Sequence, residues 1–160
     1  MSKFTLRVYG ILINDEKQVL VSDEYIRGGF YTKFPGGGLE FGEGTRDCLK
    51  REFIEEMNLR VDVGDHLYTT DYFQESAFRP GEQIVSIYYL VKPLEEIRVP
   101  LRTSPFQFDE DQMLVYNQKG EIETFRFIPW EQFSEETVSL PIDKIAARLI
   151  KEKFTHSPLP

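Results

Sequence analysis

Three glutamates, Glu52, Glu55 and Glu56, lie close together in a stretch from Thr45 to Met57 that contains neither glycine nor proline. At about 100° of rotation per residue, a helix over this stretch presents all three carboxylates in one sector about 100° wide. Carboxylates this close repel one another, and a shared divalent cation, which prefers oxygen ligands, relieves the repulsion. The pattern indicates a metal site, with a solvated acidic surface as the alternative.

The residues around the three glutamates favour the metal site. The glycines Gly36-Gly37-Gly38 precede the predicted helix and can bring backbone close to a ligand because glycine has no Cβ. Glu43 and Arg51 stand at fixed offsets from these glycines and from the glutamates. Glutamates alone on a helix usually form an ordinary solvated surface. Together with the preceding glycines, Glu43 and Arg51, they favour a metal site instead.

The same stretch contains the features that would position the helix. Leu49, Phe53 and Met57 recur at helical spacing and form one apolar stripe beside the acidic sector. Asn58 follows where a helix can end in a left-handed residue. Cys48, the single cysteine, lies on this helix and is expected to be a small residue packed beneath the site, since no histidine or second cysteine stands at ligand spacing.

The spacing resembles the Nudix box, the signature of the Nudix hydrolase superfamily, and runs Gly37-x5-Glu43-x7-Arg51-Glu52-Phe53-x-Glu55-Glu56-x-Asn58-Leu59. The sequence departs from the family pattern at Asn58, where glycine is usual, which is a conservative change at a left-handed cap. The resemblance implies an α/β fold, a Nudix-like α/β/α sandwich with a central mixed β-sheet.

The resemblance also implies a reaction, the hydrolysis of a diphosphate linkage in a nucleoside diphosphate derivative such as a nucleotide, nucleotide sugar or dinucleotide. Glu52, Glu55 and Glu56 would bind Mg²⁺, with Mn²⁺ as the other candidate, and the Gly37 carbonyl would be a further ligand. Glu52 is either a ligand or the base that accepts the proton from water. Arg51 is expected to orient a carboxylate such as Glu43.

A second class of function remains open, a nucleotide-binding or regulatory protein that keeps the fold without catalysis. Loss of a box carboxylate would favour it, and none is lost here. For substrate binding, Arg27 and Lys33 could meet phosphates and Tyr31 could stack on a base or sugar. The alternative is that these cations are solvated and the aromatic ring covers a sheet edge.

A further acid from outside the box often joins the site in Nudix-like enzymes. The candidates are the run Asp109-Glu110-Asp111 and, in the polar connection before the longest apolar run, Glu75 and Glu82. A solvated charge run is the alternative for the first of these.

Composition limits the remaining possibilities. The chain has 160 residues, 41% of them hydrophobic, which is enough for one domain over residues 1–154 and a tail over 155–160. The net charge of −8 and the lack of a basic run argue against general nucleic-acid binding. The polar N-terminus and the absence of an apolar run of spanning length predict a cytoplasmic protein without membrane contact, acting on a small molecule and compatible with a homodimer.

Periodicity and turn residues give a coarse secondary structure. Besides the box helix, the predicted elements are a hairpin of Phe4–Ile13 with Gln18–Ser22, a loop over Asp23–Tyr31, strands over Tyr31–Phe34 and Val61–Phe73, a strand over Gln83–Val91 covered on both faces, a hairpin of Met113–Asn117 with Glu121–Ile128, a short helix starting at Trp130–Phe133, and an amphipathic helix over Ile142–Phe154.

Overall fold

The computed structural model describes residues 3–160, so Met1 and Ser2 of the predicted domain lie outside the described residues. The elements are β1 (Lys3–Leu12), β2 (Gln18–Ile26), β3 (Gly29–Lys33), β4 (Gly36–Gly38), α1 (Thr45–Met57), β5 (Val61–Thr69), β6 (Glu82–Pro93), β7 (Leu101–Arg102), α2 (Glu110–Lys119), β8 (Glu121–Pro129), a 3₁₀ turn (Glu135–Thr137) and α3 (Pro141–Thr155).

The strands form two mixed sheets. The first has the order β4-β1-β6-β5, with β1 parallel to β6 and antiparallel to β4, and the second has the order β3-β2-β8-β7. Alternate residues of β1 face opposite helices, because Val8 packs in the core with α1 while Tyr9 and Ile11 pack in the core with α3. The predicted α/β/α layering is therefore confirmed, with two mixed sheets in place of one.

The box helix has the predicted bounds. Leu49, Phe53 and Met57 are buried in the core beside β1 and β5, as the apolar stripe predicts. Cys48 is also fully buried, and burial raises the pKa of its thiol to about 12, which suits a packing residue and not a nucleophile. The predicted strand over Gln83–Val91 and the C-terminal amphipathic helix are present as β6 and α3, the latter ending at Thr155.

The predicted hairpin of the first two strands is wrong. β1 and β2 belong to different sheets, and within residues 3–160 they meet at one isolated bridge, between Ile13 and Val19, followed by a turn. The predicted loop over Asp23–Tyr31 is wrong as well, since β2 continues to Ile26 and turns into β3 at Arg27, whose φ is 48°. Asp23 is buried inside this sheet, where it binds Arg126 at 2.6 Å.

Two further predictions in the C-terminal half are wrong. Residues Met113–Asn117 belong to α2 and not to a strand, because Asp109 caps the helix through a capping box with Gln112. Trp130 begins a turn, and a 3₁₀ helix follows only at Glu135–Thr137.

The glycines after Pro35 form the short strand β4 in place of a loop, since β1 offers them a hydrogen-bonding edge. No helix within residues 3–160 has the length and apolarity needed to cross a membrane.

Asn58 ends α1 in the left-handed conformation, with φ 49° and ψ 40°, and its N–H donates to the Ile54 carbonyl at 2.9 Å. We expect Asn58→Gly to change the free energy of unfolding by at most about 1 kcal/mol, because both residues tolerate this cap. Turnover should be unchanged. Urea unfolding of both proteins measures the difference, and a loss well above that value would show that the Asn58 side chain has another role.

Candidate active site

β4 and α1 bring a glycine against a box carboxylate. Gly37 pairs with Val8 across the β4–β1 ladder, and a Cβ built on Gly37 would lie 2.4 Å from Oε1 of Glu52. Real Cβ atoms do not approach other heavy atoms so closely, so Glu52 can hold this position only because residue 37 has no side chain. The glycine strand and the helix therefore build one site.

Arg51 joins the carboxylates of the box. Its guanidinium contacts both oxygens of Glu43, at 2.7 and 3.0 Å, and one oxygen each of Glu52 at 3.0 Å and Glu55 at 3.2 Å. A fifth hydrogen bond, of 3.0 Å, reaches the Gly38 carbonyl. The hydrogen bonds from Arg51 lower the pKa of Glu43 to about 2. The structure thus contains the predicted contact between Arg51 and Glu43, and it adds Glu52 and Glu55.

Glu56 differs from Glu52 and Glu55, which both contact Arg51, because no cation among residues 3–160 forms an ion pair with it. The charge of Lys33 is nonetheless close enough to act on the Glu56 carboxylate. The Oε2 atom of Glu56 is buried and has no hydrogen-bond partner among residues 3–160. Burial raises the pKa of Glu56, and the nearby carboxylate of Glu123 raises it further. A buried carboxylate oxygen without a partner is costly, which marks this position as one that a ligand could complete.

Glu24 and Glu123 are acidic residues of the site that the sequence analysis missed. They lie directly opposite each other in the antiparallel pairing of β2 with β8. Glu24 binds Lys33 at 2.7 Å, and Glu123 accepts a 2.8 Å hydrogen bond from Ser22. The sequence contained one usable signal, namely an acid within each of two apolar segments. The predicted strand ended at Ser22, however, and the two acids meet only because β2 extends beyond Ser22 and pairs with β8.

A cavity of about 1250 Å³ opens over these residues. The sequence-predicted residues that line it are Arg27, Lys33, Gly37, Glu52, Glu55, Glu56, Glu75, Glu82, Asp109 and Asp111. Arg51, Glu43, Tyr31 and Glu110 are not among the lining residues. Arg51 and Glu43 support the lining carboxylates from behind through the ion pairs described above.

The remaining predicted residues have other contacts. Tyr31 packs edge-on against Phe78, with the ring centroids 5.2 Å apart, so it contacts a residue of the cavity wall without lining the cavity itself. Asp109 caps α2 and binds Arg102 at 2.8 Å. Glu110 lies exposed in the first turn of the same helix, which favours its alternative interpretation as a solvated charge.

Two observations fit a divalent cation at this site. The unpartnered Glu56 oxygen is an available ligand. The close approach of Gly37 and Glu52 places a carboxylate next to a backbone segment without a side chain, so carboxylate and carbonyl oxygens are both available there. The carboxylates are not arranged around a common point, however, since within residues 3–160 no three acidic, histidine or cysteine side chains form a metal-binding group. Arg51 occupies oxygens of Glu52 and Glu55 in this arrangement.

The buried carboxylates predict a pH dependence of the metal-free protein. Burial raises the pKa of Glu56, Glu52 and Glu123 in the folded state, so above about pH 4.3, the ordinary value for glutamate, the folded protein binds more protons than the unfolded one. The free energy of unfolding should therefore fall as pH rises from 5 to 8, by on the order of 2 kcal/mol.

Urea unfolding in a chelator at both pH values measures this change. Glu56→Gln should remove much of the slope, and added Mg²⁺ should offset the loss at pH 8 in the unaltered protein. Stability that rises over this range would show that the three carboxylates are already charged and compensated without metal.

Comparisons with known proteins place the chain in a family. A family model of the NUDIX domain matches residues 3–151, whereas a comparison with curated proteins found no significant match. The fold is similar to that of the E. coli ORF135 protein, with a TM-score of 0.70, 16% identity, and coverage of 99% of this chain and 96% of that chain.

Two other solved structures are similar over nearly their whole length. The MutT protein from Methanosarcina mazei has a TM-score of 0.66 at 14% identity, covering 95% of this chain and 96% of that chain. An ADP-ribose pyrophosphatase from Streptococcus suis has a TM-score of 0.57 at 14% identity, covering 97% and 94%. These likenesses agree in fold with the family match, which spans almost the whole sequence. The chain therefore belongs to the Nudix hydrolase superfamily.

Proposed function

We propose that this protein is a metal-dependent pyrophosphohydrolase that cleaves the diphosphate linkage of a nucleoside diphosphate derivative by attack of water on phosphorus. The observation that carries the proposal is the unpartnered Glu56 oxygen beside the contact of Glu52 with Gly37. The cavity above them, about 1250 Å³, is large enough for a nucleotide-sized ligand. The name of one similar structure, an ADP-ribose pyrophosphatase, supports the same substrate class.

The residues proposed to hold Mg²⁺, or Mn²⁺, are Glu52, Glu55 and Glu56 with the carbonyl of Gly37. When bound, a divalent cation there supplies positive charge for an already anionic diphosphate and makes water a better nucleophile. Arg51 positions Glu52 and Glu55 through ion pairs, and Arg51 is itself positioned by its ion pair with Glu43. Because Arg51 does not line the cavity, we propose it as a positioning residue and not as a substrate ligand.

Two carboxylates are candidates for the base that accepts the proton of the attacking water. Glu52 is in contact with Arg51, which favours its charged form, whereas burial opposes that form. Glu123 enters from the second sheet, and burial and Glu24 raise its pKa, which suits a proton acceptor working near neutral pH. A pH–rate profile of Glu123→Gln separates the two, because loss of the base removes the acidic limb of the profile.

The competing function is a binding or regulatory protein that recognises a nucleotide without hydrolysis. A phosphate-release screen distinguishes the two. Nucleoside triphosphates, nucleotide sugars and dinucleotides are incubated with Mg²⁺ or with chelator, each with and without a coupled phosphatase. We expect metal-dependent release from at least one class. Tight binding of one class without any turnover would establish the regulatory protein in place of the hydrolase.

A further inference from the structure

Arg7 is a cation of the cavity that the box motif does not include. It lies on β1 and lines the cavity together with Glu52 and Glu56. Its Nε donates a 2.6 Å hydrogen bond to the Tyr9 hydroxyl. No carboxylate oxygen of residues 3–160 comes within 4.0 Å of its guanidinium nitrogens. The terminal nitrogens of Arg7 therefore keep their donors available on the cavity side.

Most other cations that line the cavity are paired with acids. The pairs are Lys33 with Glu24 at 2.7 Å, Arg102 with Asp109 at 2.8 Å, and Arg79 with Glu82 at 3.7 Å. Arg27, in the turn between β2 and β3, and Lys119, in the last turn of α2, are exposed. Arg7 is in contrast only partly exposed, and Tyr9, Glu24 and Glu52 favour its charged form without forming an ion pair within 4.0 Å among residues 3–160. The terminal nitrogens of Arg7 can therefore bind a ligand anion without breaking an ion pair.

The position of Arg7 relates it to the proposed metal site. Arg7 is the register partner of Gly38, and its Nη1 atom lies 3.9 Å from where a Cβ on Gly38 would be. The next glycine along the strand, Gly37, is the one that faces Glu52. Successive side-chain directions alternate along a strand, so the Glu52 carboxylate and the Arg7 guanidinium lie at opposite faces of one edge strand. Both groups line the same cavity, so a ligand in the cavity can contact the two sides of this edge together.

We propose that Arg7 binds the phosphoryl group next to the one attacked, and that it is a specificity-determining residue for substrates with two linked phosphoryl groups. This proposal rests on the proposed hydrolysis. A guanidinium presents parallel N–H donors that match two oxygens of one phosphate. The Tyr9 hydroxyl fixes Nε and thereby aims the terminal nitrogens, and a phosphoryl group held there leaves its neighbour beside Glu52 and Glu56.

The assignment has a consequence for substrate choice. A compound with one phosphoryl group can occupy either the position at the carboxylates or the position at Arg7, but not both. A diphosphate occupies both, and its added negative charge meets the terminal nitrogens of Arg7, which form no ion pair among residues 3–160. Arg7 should therefore increase the affinity for diphosphates much more than the affinity for monophosphates.

The test uses methylenediphosphonate, a diphosphate analogue whose P–C–P bridge resists hydrolysis, and methylphosphonate as its single-phosphorus counterpart. Calorimetry with Mg²⁺ present measures binding to the unaltered full chain, Arg7→Gln and Arg7→Lys. We expect Arg7→Gln to weaken methylenediphosphonate binding at least about tenfold and methylphosphonate binding much less, with Mg²⁺ affinity nearly unchanged. Arg7→Lys should restore only part of the loss, because it keeps the charge without the paired donors.

Arg60→Gln is the matched control, since Arg60 is exposed, pairs with Glu95 at 3.2 Å and does not line the cavity. Its binding should equal that of the unaltered protein. Equal affinity of Arg7→Gln and the unaltered protein for methylenediphosphonate, or no binding by the unaltered protein, would overturn the assignment. Failure of hydrolysis gives a different result, namely no turnover by the unaltered protein while the Arg7-dependent binding remains.

Discussion

Glu56→Gln is expected to lower metal-dependent turnover by on the order of 10² or more while making the metal-free protein more stable. The substitution replaces a buried carboxylate that lacks a partner by a neutral amide of the same shape, which removes the cost of a buried charge. It also removes the negative charge that a divalent cation requires at this position. The two effects are expected to have opposite signs because the proposed cation needs the charge of Glu56, whereas the metal-free protein leaves one oxygen of that carboxylate without a partner among residues 3–160.

The measurements are steady-state kinetics at saturating Mg²⁺ and urea unfolding in chelator near pH 8. Glu110→Gln is the matched control, because Glu110 is exposed on α2 and outside the cavity. It should change neither quantity. If Glu56→Gln kept full turnover and full Mg²⁺ affinity, the acidic face of α1 would not be the metal site.

Gly37→Ala is expected to reduce turnover by on the order of 10² with little change in stability. The added methyl group would lie 2.4 Å from the carboxylate of Glu52, so that carboxylate must leave its position. Glu52 has a flexible side chain that can turn away at small energetic cost, and the φ of Gly37 is not positive, so the backbone accepts alanine. The loss therefore concerns the site and not the fold.

Gly38→Ala provides the comparison within the same strand. Its added Cβ would be 3.9 Å from the nearest atom outside its chain neighbours, an ordinary contact, so Glu52 keeps its place and a much larger share of the turnover should survive. The activities are compared at equal folded fractions, checked by circular dichroism. Equal activity of Gly37→Ala and the unaltered protein would mean that the position of Glu52 against β4 is not needed for the reaction.

The box helix could be predicted from the sequence because its determinants are local. The apolar stripe of Leu49, Phe53 and Met57, the lack of helix breakers and the left-handed cap at Asn58 all lie within one stretch, and each is present in the structure. The contact between Arg51 and Glu43 likewise spans a short separation along the chain. These features depend on residues that are close along the chain, so a single sequence contains the information that determines them.

The part of the site from the second sheet could not be predicted in the same way. Glu24 falls in the segment predicted as a loop, whereas in the structure it lies in β2, where its pairing with Lys33 offsets the cost of burial. Glu123 stands about one hundred residues further on, and only the pairing of β2 with β8 brings it opposite Glu24. Part of helix α2 was predicted as a strand because Gln118-Lys119-Gly120 matches a hairpin turn, but Gly120 is instead the left-handed residue that ends the helix.

The pairing of Glu24 with Glu123 also determines which changes of chain length the protein can tolerate. Side chains alternate between the two faces of a strand. Inserting one residue into β2 before Glu24, or into β8 before Glu123, would therefore move that acid to the opposite face of its sheet. The connection between β5 and β6, residues 70–81, lies outside the strands and pairs with β6 through one isolated bridge, between Glu75 and Gln83, so its exposed turn from Phe78 to Gly81 is less constrained in length. Over evolutionary time, relatives of this protein should therefore gain and lose residues in that connection, and acquire new substrate preferences there, while the lengths of β2 and β8 stay fixed.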